Sequence, residues 1–107
     1  MRSPLIIPNY DQIPLAHSVE VARLNDGNMY NITVKYQPPG MFSPTLNIRA
    51  EYDGKDLRVR EVDIVDKRGV HARSTQYFSK RVSEMGILLR DKVILGYIDS
   101  TFRETNE

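Results

Sequence analysis

The sequence contains no cysteine, and this absence excludes several kinds of site. A chain without thiols has no disulfide framework, no thiolate zinc site and no cysteine nucleophile. Histidine is also scarce: His17 and His71 are the two in the chain, and their separation does not match a metal-binding spacing. We therefore expect neither a resident metal nor a cofactor.

Long apolar runs are absent as well. Near the N-terminus the run Leu5–Ile7 is three residues long and is closed by Pro8. A secretory signal needs about 7 to 15 consecutive apolar residues, and a membrane-spanning helix needs about 20. The sequence therefore predicts a protein that does not enter a membrane, and we expect a cytoplasmic location.

The chain has little net charge. Fifteen Lys and Arg residues oppose fourteen Asp and Glu residues, which leaves +1. This balance excludes a histone-like polycation and an acidic mimic of DNA. The length of 107 residues fits a single domain. A chain of this size buries roughly two-thirds of the surface that its unfolded form exposes, so it can form a core.

Enzyme signatures are also missing. The sequence has no P-loop, no dinucleotide-binding fingerprint and no nucleophile elbow. Carboxylates at Glu51, Asp53 and Asp56 surround a turn, but they lack the regular ligand spacing of a calcium-binding loop. The absence of these motifs favours a protein that is not an enzyme.

Residues 1–16 form a distinct segment in which Pro4, Pro8 and Pro14 separate large apolar side chains. Each proline lacks an N–H and favours extended backbone in the residue before it, so the segment is predicted to be an extended arm preceding a domain of residues 17–107. Two interpretations remain open: the arm packs along its own domain, or it reaches a partner. The partner-binding residues of the arm would be its large apolar side chains, Leu5, Ile6, Ile7 and Tyr10.

Period-two alternation predicts four strands after the arm, around 19–22, 30–36, 46–52 and 57–64. Asp53-Gly54 is typical of a hairpin turn. The alternation slips at Arg60-Glu61, which predicts a β-bulge or a bend in the strand. Because the alternate positions are polar, we expect an antiparallel sheet with one face in water.

Residues 70–85 fit two structures. Thr75, Phe78, Val82 and Met85 have helical spacing over 72–85, and Gly86 follows as a candidate C-cap. Residues 87–98 have β character, and 99–107 are expected to fray. The predicted fold class is α+β, an antiparallel sheet of about five strands with one helix at 72–85 packed on it. The alternative is an all-β sandwich or barrel in which 70–78 is a strand.

The favoured function is that of a small non-catalytic protein-binding module, such as a regulator, an inhibitor or an assembly component. Besides the arm, the loop 37–44 carries Met41 and Phe42 between prolines. A restrained apolar loop loses little entropy on docking. The expected partner is another protein or a second copy of this chain.

A second hypothesis is nucleic-acid binding by residues 67–92, which carry seven basic and two acidic side chains. On the predicted helix, basic residues share a face with a tyrosine, an arrangement that could neutralise phosphates and stack a base. The candidate residues are Lys67, Arg68, Arg73, Tyr77, Lys80 and Arg81.

A third hypothesis centres on His71. The segment Gly69-Val70-His71-Ala72-Arg73-Ser74 resembles the active loop of the histidine-containing phosphocarrier family, where the histidine opens a helix. The resemblance covers six residues, and Ser74 stands where that family has proline. It implies a phosphate carried on His71 and stabilised by a helix N-terminus.

Overall fold

The computed structural model describes residues 3–14, 16–24, 27–36, 45–65 and 83–106, with the side chains of the last range described to residue 104. These residues form five strands and two helices. The strands are β1 (Leu5–Pro8), β2 (Ala16–Leu24), β3 (Met29–Tyr36), β4 (Thr45–Tyr52) and β5 (Leu57–Val65), and the helices are α1 (Met85–Leu89) and α2 (Lys92–Asn106). The predicted α+β fold class is confirmed.

The sheet is an open meander in which the strands keep the order β1-β2-β3-β4-β5 and every neighbouring pair is antiparallel. It is not closed into a barrel, so the all-β alternative is wrong. Of the two alternatives at Arg60-Glu61, the bulge is confirmed: Arg49 pairs with Glu61 and Ala50 pairs with Val59, which leaves Arg60 as the extra residue of β5.

The alternation of side chains gives the sheet two different faces. Alternate residues of the three middle strands are fully or almost fully buried on the inner face, namely Val19, Val21, Tyr30, Ile32, Val34, Tyr36, Leu46, Ile48, Ala50 and Tyr52. The residues between them are polar and more exposed, and they form the outer face. The prediction of one buried face and one wet face is therefore confirmed.

Helix α2 is part of the core, and here the expectation of β character over 87–98 is wrong. Ile94 and Ile98 are completely buried and lie one helical turn apart. The carboxylate of Asp91 accepts hydrogen bonds from the N–H groups of Val93 (2.8 Å) and Ile94 (3.2 Å) and so caps the helix start. The β-branched residues at 93, 94 and 98 favoured a strand locally, but the cap and the buried helical stripe outweigh that preference.

The expectation that the C-terminal residues fray is wrong, because α2 continues to Asn106. Thr101 is buried, and the ring of Phe102 packs edge-on against Tyr52 with 5.2 Å between ring centroids. The helix predicted at 72–85 lies almost entirely outside the described residues. Met85 begins α1 instead of ending a helix, and Gly86 lies inside α1 instead of capping one.

Two tyrosines of the inner face fasten α2 to the sheet. The hydroxyl of Tyr30 donates to the carbonyl of Ile98 at 3.2 Å and lies 2.9 Å from the hydroxyl of Thr101. The hydroxyl of Tyr52 donates to Asp99 at 2.7 Å. Each ring is buried in the core while its polar end reaches a partner on the helix, so α2 has a fixed position across the inner face.

Candidate functional site: the two edges of the sheet

The first edge of the sheet carries exposed apolar side chains. Ile6 of β1 points to the outer face and is 62% exposed, and the prolines two residues away on either side, Pro4 and Pro8, are also exposed. We call these three residues the apolar strip. Leu5 and Ile7 point the other way, are half-buried and pack against the core. The segment predicted as an arm thus pairs along β2 and still presents Ile6 outward.

The backbone of β1 offers little to a further strand. The N–H of Asn9 donates to the carbonyl of His17 at 2.8 Å. Antiparallel residue pairs alternate between bonded and non-bonded, so Leu5 and Ile7 point their backbone groups toward β2 and Ile6 points them away. Pro4 and Pro8 have no N–H. Ile6 is therefore the sole N–H donor of 4–8 on this edge, a pattern that blocks strand addition.

Contacts at both ends hold β1 on α2. The hydroxyl of Tyr97 donates to the carbonyl of Ser3 at 2.9 Å, just before the strand. The hydroxyl of Tyr10 donates to Asp91 at 2.6 Å, just after it. Burial, followed by this hydrogen bond, raises the pKa of Tyr10 well above its usual range. Tyr10, one of the predicted partner-binding residues, is therefore a buried anchor, and the apolar strip is held in a fixed position.

The second edge of the sheet is β5, and its backbone direction follows from the turn before it. The N–H of Asp53 donates to the carbonyl of Asp56 at 3.2 Å, which makes these residues a bonded pair. By alternation, Leu57 and Val59 direct their N–H and C=O groups away from β4. Leu57 and Val59 are half-buried, with their side chains packed against the core.

Beyond the bulge the direction of the backbone is set by β4. Asp53 directs its backbone groups toward the chain that forms β5, so by alternation Glu51 and Arg49 of β4 do the same. Arg49 stands opposite Glu61, which therefore directs its own backbone groups toward β4. Val62 and Ile64 therefore direct their N–H and C=O groups outward. Within the described part of the chain, no strand pairs with this edge. The edge thus carries four outward-directed residues, and none of them is proline.

The bulge brings two charged side chains of β5 onto the outer face together. Arg60 donates to Glu51 through Nε at 2.8 Å, and Glu61 accepts from Arg49 at 3.2 Å. The bond from Arg60 holds the pKa of the Glu51 carboxyl below its usual range. Arg58 lies near Asp53, with 4.0 Å between nitrogen and oxygen. Arginines and carboxylates thus alternate in space here, and the outer face beside β5 carries no excess of positive charge.

A single carboxylate stabilises the tight turn between β4 and β5. Oδ1 of Asp53 accepts hydrogen bonds from the N–H groups of Lys55 (2.8 Å) and Asp56 (2.7 Å). These bonds hold the pKa of Asp53 below its usual range. The acidic cluster noted in the sequence is accordingly a turn. Among the described residues, no group of three or more His, Asp and Glu side chains is arranged to hold a metal ion.

The loop residues Met41 and Phe42, the basic-segment residues Lys67, Arg68, Arg73, Tyr77, Lys80 and Arg81, and His71 all lie outside the described residues. The second histidine, His17, is exposed on β2. In the part of the chain that is described, no helix has both the length and the apolar content to cross a membrane.

Sequence reasoning identified β5 as a strand but missed it as a candidate binding edge. Strand order decides which strands are edges, and strand order is not visible in alternation. One signal was present in the sequence. In 57–64 two arginines precede two acidic residues, and each arginine lies as far from the centre of the segment as one of the acidic residues on the other side.

Comparisons with known proteins found no matching family model, no matching curated protein and no matching solved structure.

Proposed function

We propose that this chain is a small non-catalytic protein-binding module whose contact surface includes the apolar strip of Pro4, Ile6 and Pro8. The observation that supports the proposal is the 62% exposure of Ile6 on a segment tied down at both ends. An apolar side chain held in one place loses little entropy when a partner covers it. Covering the exposed part of one isoleucine contributes about 1 to 2 kcal/mol to binding.

The strip favours a partner that contacts it through side chains. Only Ile6 has an outward N–H there, so the edge provides at most one bonded residue pair to an added strand. The prolines on either side are rigid and cannot donate. We therefore propose a folded protein partner with an apolar recess that receives Ile6, and not an extended peptide that lengthens the sheet.

The test uses the substitution Ile6→Lys in a pull-down from native lysate, carried out with and without nuclease treatment and followed by mass spectrometry of the captured proteins. Glu20 stands opposite position 6 on β2, so a lysine at this position gains a cross-strand ion pair and the variant is expected to fold. The charge must be desolvated to enter an apolar recess, and we expect capture of the partner to fall at least about tenfold.

The control is Val93→Lys, which makes the same chemical change at another exposed apolar side chain, 59% exposed on α2. It should capture the same partner as the wild type. Equal capture by the Ile6→Lys variant, or a partner that is lost on nuclease treatment, would contradict the proposal, and the second result would favour nucleic-acid binding by the basic segment. Deletion of residues 2–15 is a poor test, because it removes Tyr10 and Ile13 from the core.

A further inference from the structure

We infer that β5 pairs in an antiparallel manner with β5 of a second copy of this chain, in a two-fold arrangement that places Arg58 opposite Asp63 of the other copy. The inference concerns the second edge of the sheet and goes beyond the proposed function, which rests on the first. It depends on three features of β5: its charge order, its backbone direction and its inner face.

The charge order is complementary to itself when reversed. Residues 57–64 read Leu-Arg-Val-Arg-Glu-Val-Asp-Ile. In the register that sets Arg58 against Asp63, Arg60 stands against Glu61, and every apolar residue stands against another apolar residue. Because the axis is two-fold, each charge pair occurs twice. All four charged positions of this segment are thereby matched by opposite charge, and directly opposed charges of opposite sign stabilise antiparallel pairs.

The backbone directions agree with this register. The outward-directed residues are Leu57, Val59, Val62 and Ile64, and the register pairs Leu57 with Ile64 and Val59 with Val62 of the other copy. Each outward-directed residue therefore meets another outward-directed residue, as a bonded antiparallel pair requires. The bulge at Arg60 lies at the centre of the paired segment in both strands. It shifts the alternation of backbone direction by one residue in each strand, so the outward-directed residues on either side of the bulge still stand opposite one another.

The inner face gains apolar contact from the same pairing. Leu57, Val59 and Val62 are half-buried at the margin of the core; across the two-fold axis Val59 meets Val62, and Leu57 meets the buried Ile64. The apolar surface that these three side chains still expose would be covered by the residues paired with them in the second copy. A backbone ladder, matched charges and apolar contact thus select the same register and the same occupant, a second copy of this chain.

The experiment measures self-association by sedimentation velocity from about 1 µM to about 1 mM, a range that spans weak association. The wild-type chain should form a reversible dimer. In Arg58→Asp each dimer would hold two Asp–Asp contacts, and in Asp63→Arg it would hold two Arg–Arg contacts. We expect the dissociation constant of each variant to rise about tenfold or more.

Mixing these two variants gives the sharpest result. In a mixed dimer, the aspartate introduced at position 58 of one chain faces the arginine introduced at position 63 of the other. The remaining pair is the original Arg58 and Asp63, so both pairs are attractive. Mixed dimers should therefore form with a dissociation constant within about threefold of the wild type. Only a register that places position 58 opposite position 63 predicts this recovery.

Two further variants complete the test, with circular dichroism used to establish that each is folded. Lys35→Asp reverses an exposed charge on β3, away from the edge, and should dimerise like the wild type. Val59→Pro removes an outward N–H that β4 does not use, so this variant should fold and remain monomeric. If a charge variant does not fold, the Val59→Pro variant still tests whether the β5 edge forms the dimer. A monomeric wild-type chain, dimers of Val59→Pro as stable as the wild type, or folded charge variants whose mixture stays monomeric would overturn the inference.

Discussion

At the residue scale, tyrosine hydroxyls determine how the helix is attached. Tyr10, Tyr30 and Tyr52 place their rings in the core and their hydroxyls on residues of α2 or its cap. The sequence predicted Tyr30 and Tyr52 as alternating strand residues, and this was confirmed. It could not predict their partners, because the residues that the hydroxyls meet are 47 or more positions away in the chain.

Gly54 occupies a backbone conformation that other residues rarely adopt, with φ of +99°. A Cβ added there would also lie 3.2 Å from Cε1 of Phe102. We predict that Gly54→Ala lowers the free energy of unfolding by about 1 to 3 kcal/mol, through backbone strain and displacement of that ring. Urea denaturation measures the change.

Gly27 provides a matched control for this substitution. Among the described residues other than its chain neighbours, none has an atom within 4 Å of a Cβ added at Gly27, and the φ of Gly27 is not in the positive region. Gly27→Ala should leave the urea midpoint unchanged or slightly raised, because alanine restricts the unfolded chain. Equal effects of the two substitutions would contradict the account of the turn.

At the element scale, the strands were predictable, whereas the two helices in the described part of the chain were not. Alternation over a half-buried sheet is a local signal, so β2, β3, β4 and β5 and the bulge at Arg60 could be predicted from it. Helix α2 depends on Asp91 as its cap and on an inner face that receives Ile94 and Ile98, and the second condition is set by the tertiary structure. Local β-branched residues therefore misled the sequence reasoning.

The attachment of α2 near its C-terminal half predicts a dependence of stability on pH. Asp99 accepts from Arg103 at 2.8 Å and from Tyr52 at 2.7 Å. The bond from Arg103, and then that from Tyr52, holds the pKa of Asp99 below its usual range. A carboxyl whose pKa is lower in the folded state contributes stability that is present above its unfolded pKa and lost as pH falls through its folded pKa.

We therefore predict that the free energy of unfolding of the wild type falls as pH decreases below about 4, the usual pKa of an aspartate in an unfolded chain. Asp99→Asn removes the titrating group, and Arg103→Gln removes the largest cause of the lowered pKa. Both variants should show a shallower fall in urea titrations at several pH values. Wild-type slopes in both variants would show that this contact does not contribute to acid sensitivity.

At the scale of the whole molecule, the fold is an open sheet whose two edges differ. The first edge is blunted by Pro4 and Pro8 and displays Ile6. The second has four outward-directed residues and a self-complementary charge order in 57–64. The prolines could be seen in the sequence, but their meaning depends on β1 being an edge strand, and this is a property of the complete strand order.

The difference between the edges also separates two kinds of association. The apolar strip offers side chains and a single N–H, which suits a different protein with an apolar recess. The β5 edge offers backbone groups in the correct phase for a strand of the same sequence. A chain with both surfaces would be able to bind the proposed protein partner while paired with a second copy, because the strip and β5 lie at opposite ends of the strand order.

The most direct test of this difference is residue-resolved amide hydrogen exchange by NMR at about 50 µM and about 1 mM, concentrations chosen to lie on either side of a weak dimerisation. The account predicts that the N–H groups of Leu57, Val59, Val62 and Ile64 exchange rapidly in the dilute sample and become protected in the concentrated one, while the exchange of the Ile6 N–H does not change. Exchange of those four amides at the same rate at both concentrations, or protection that develops at Ile6 instead, would contradict it.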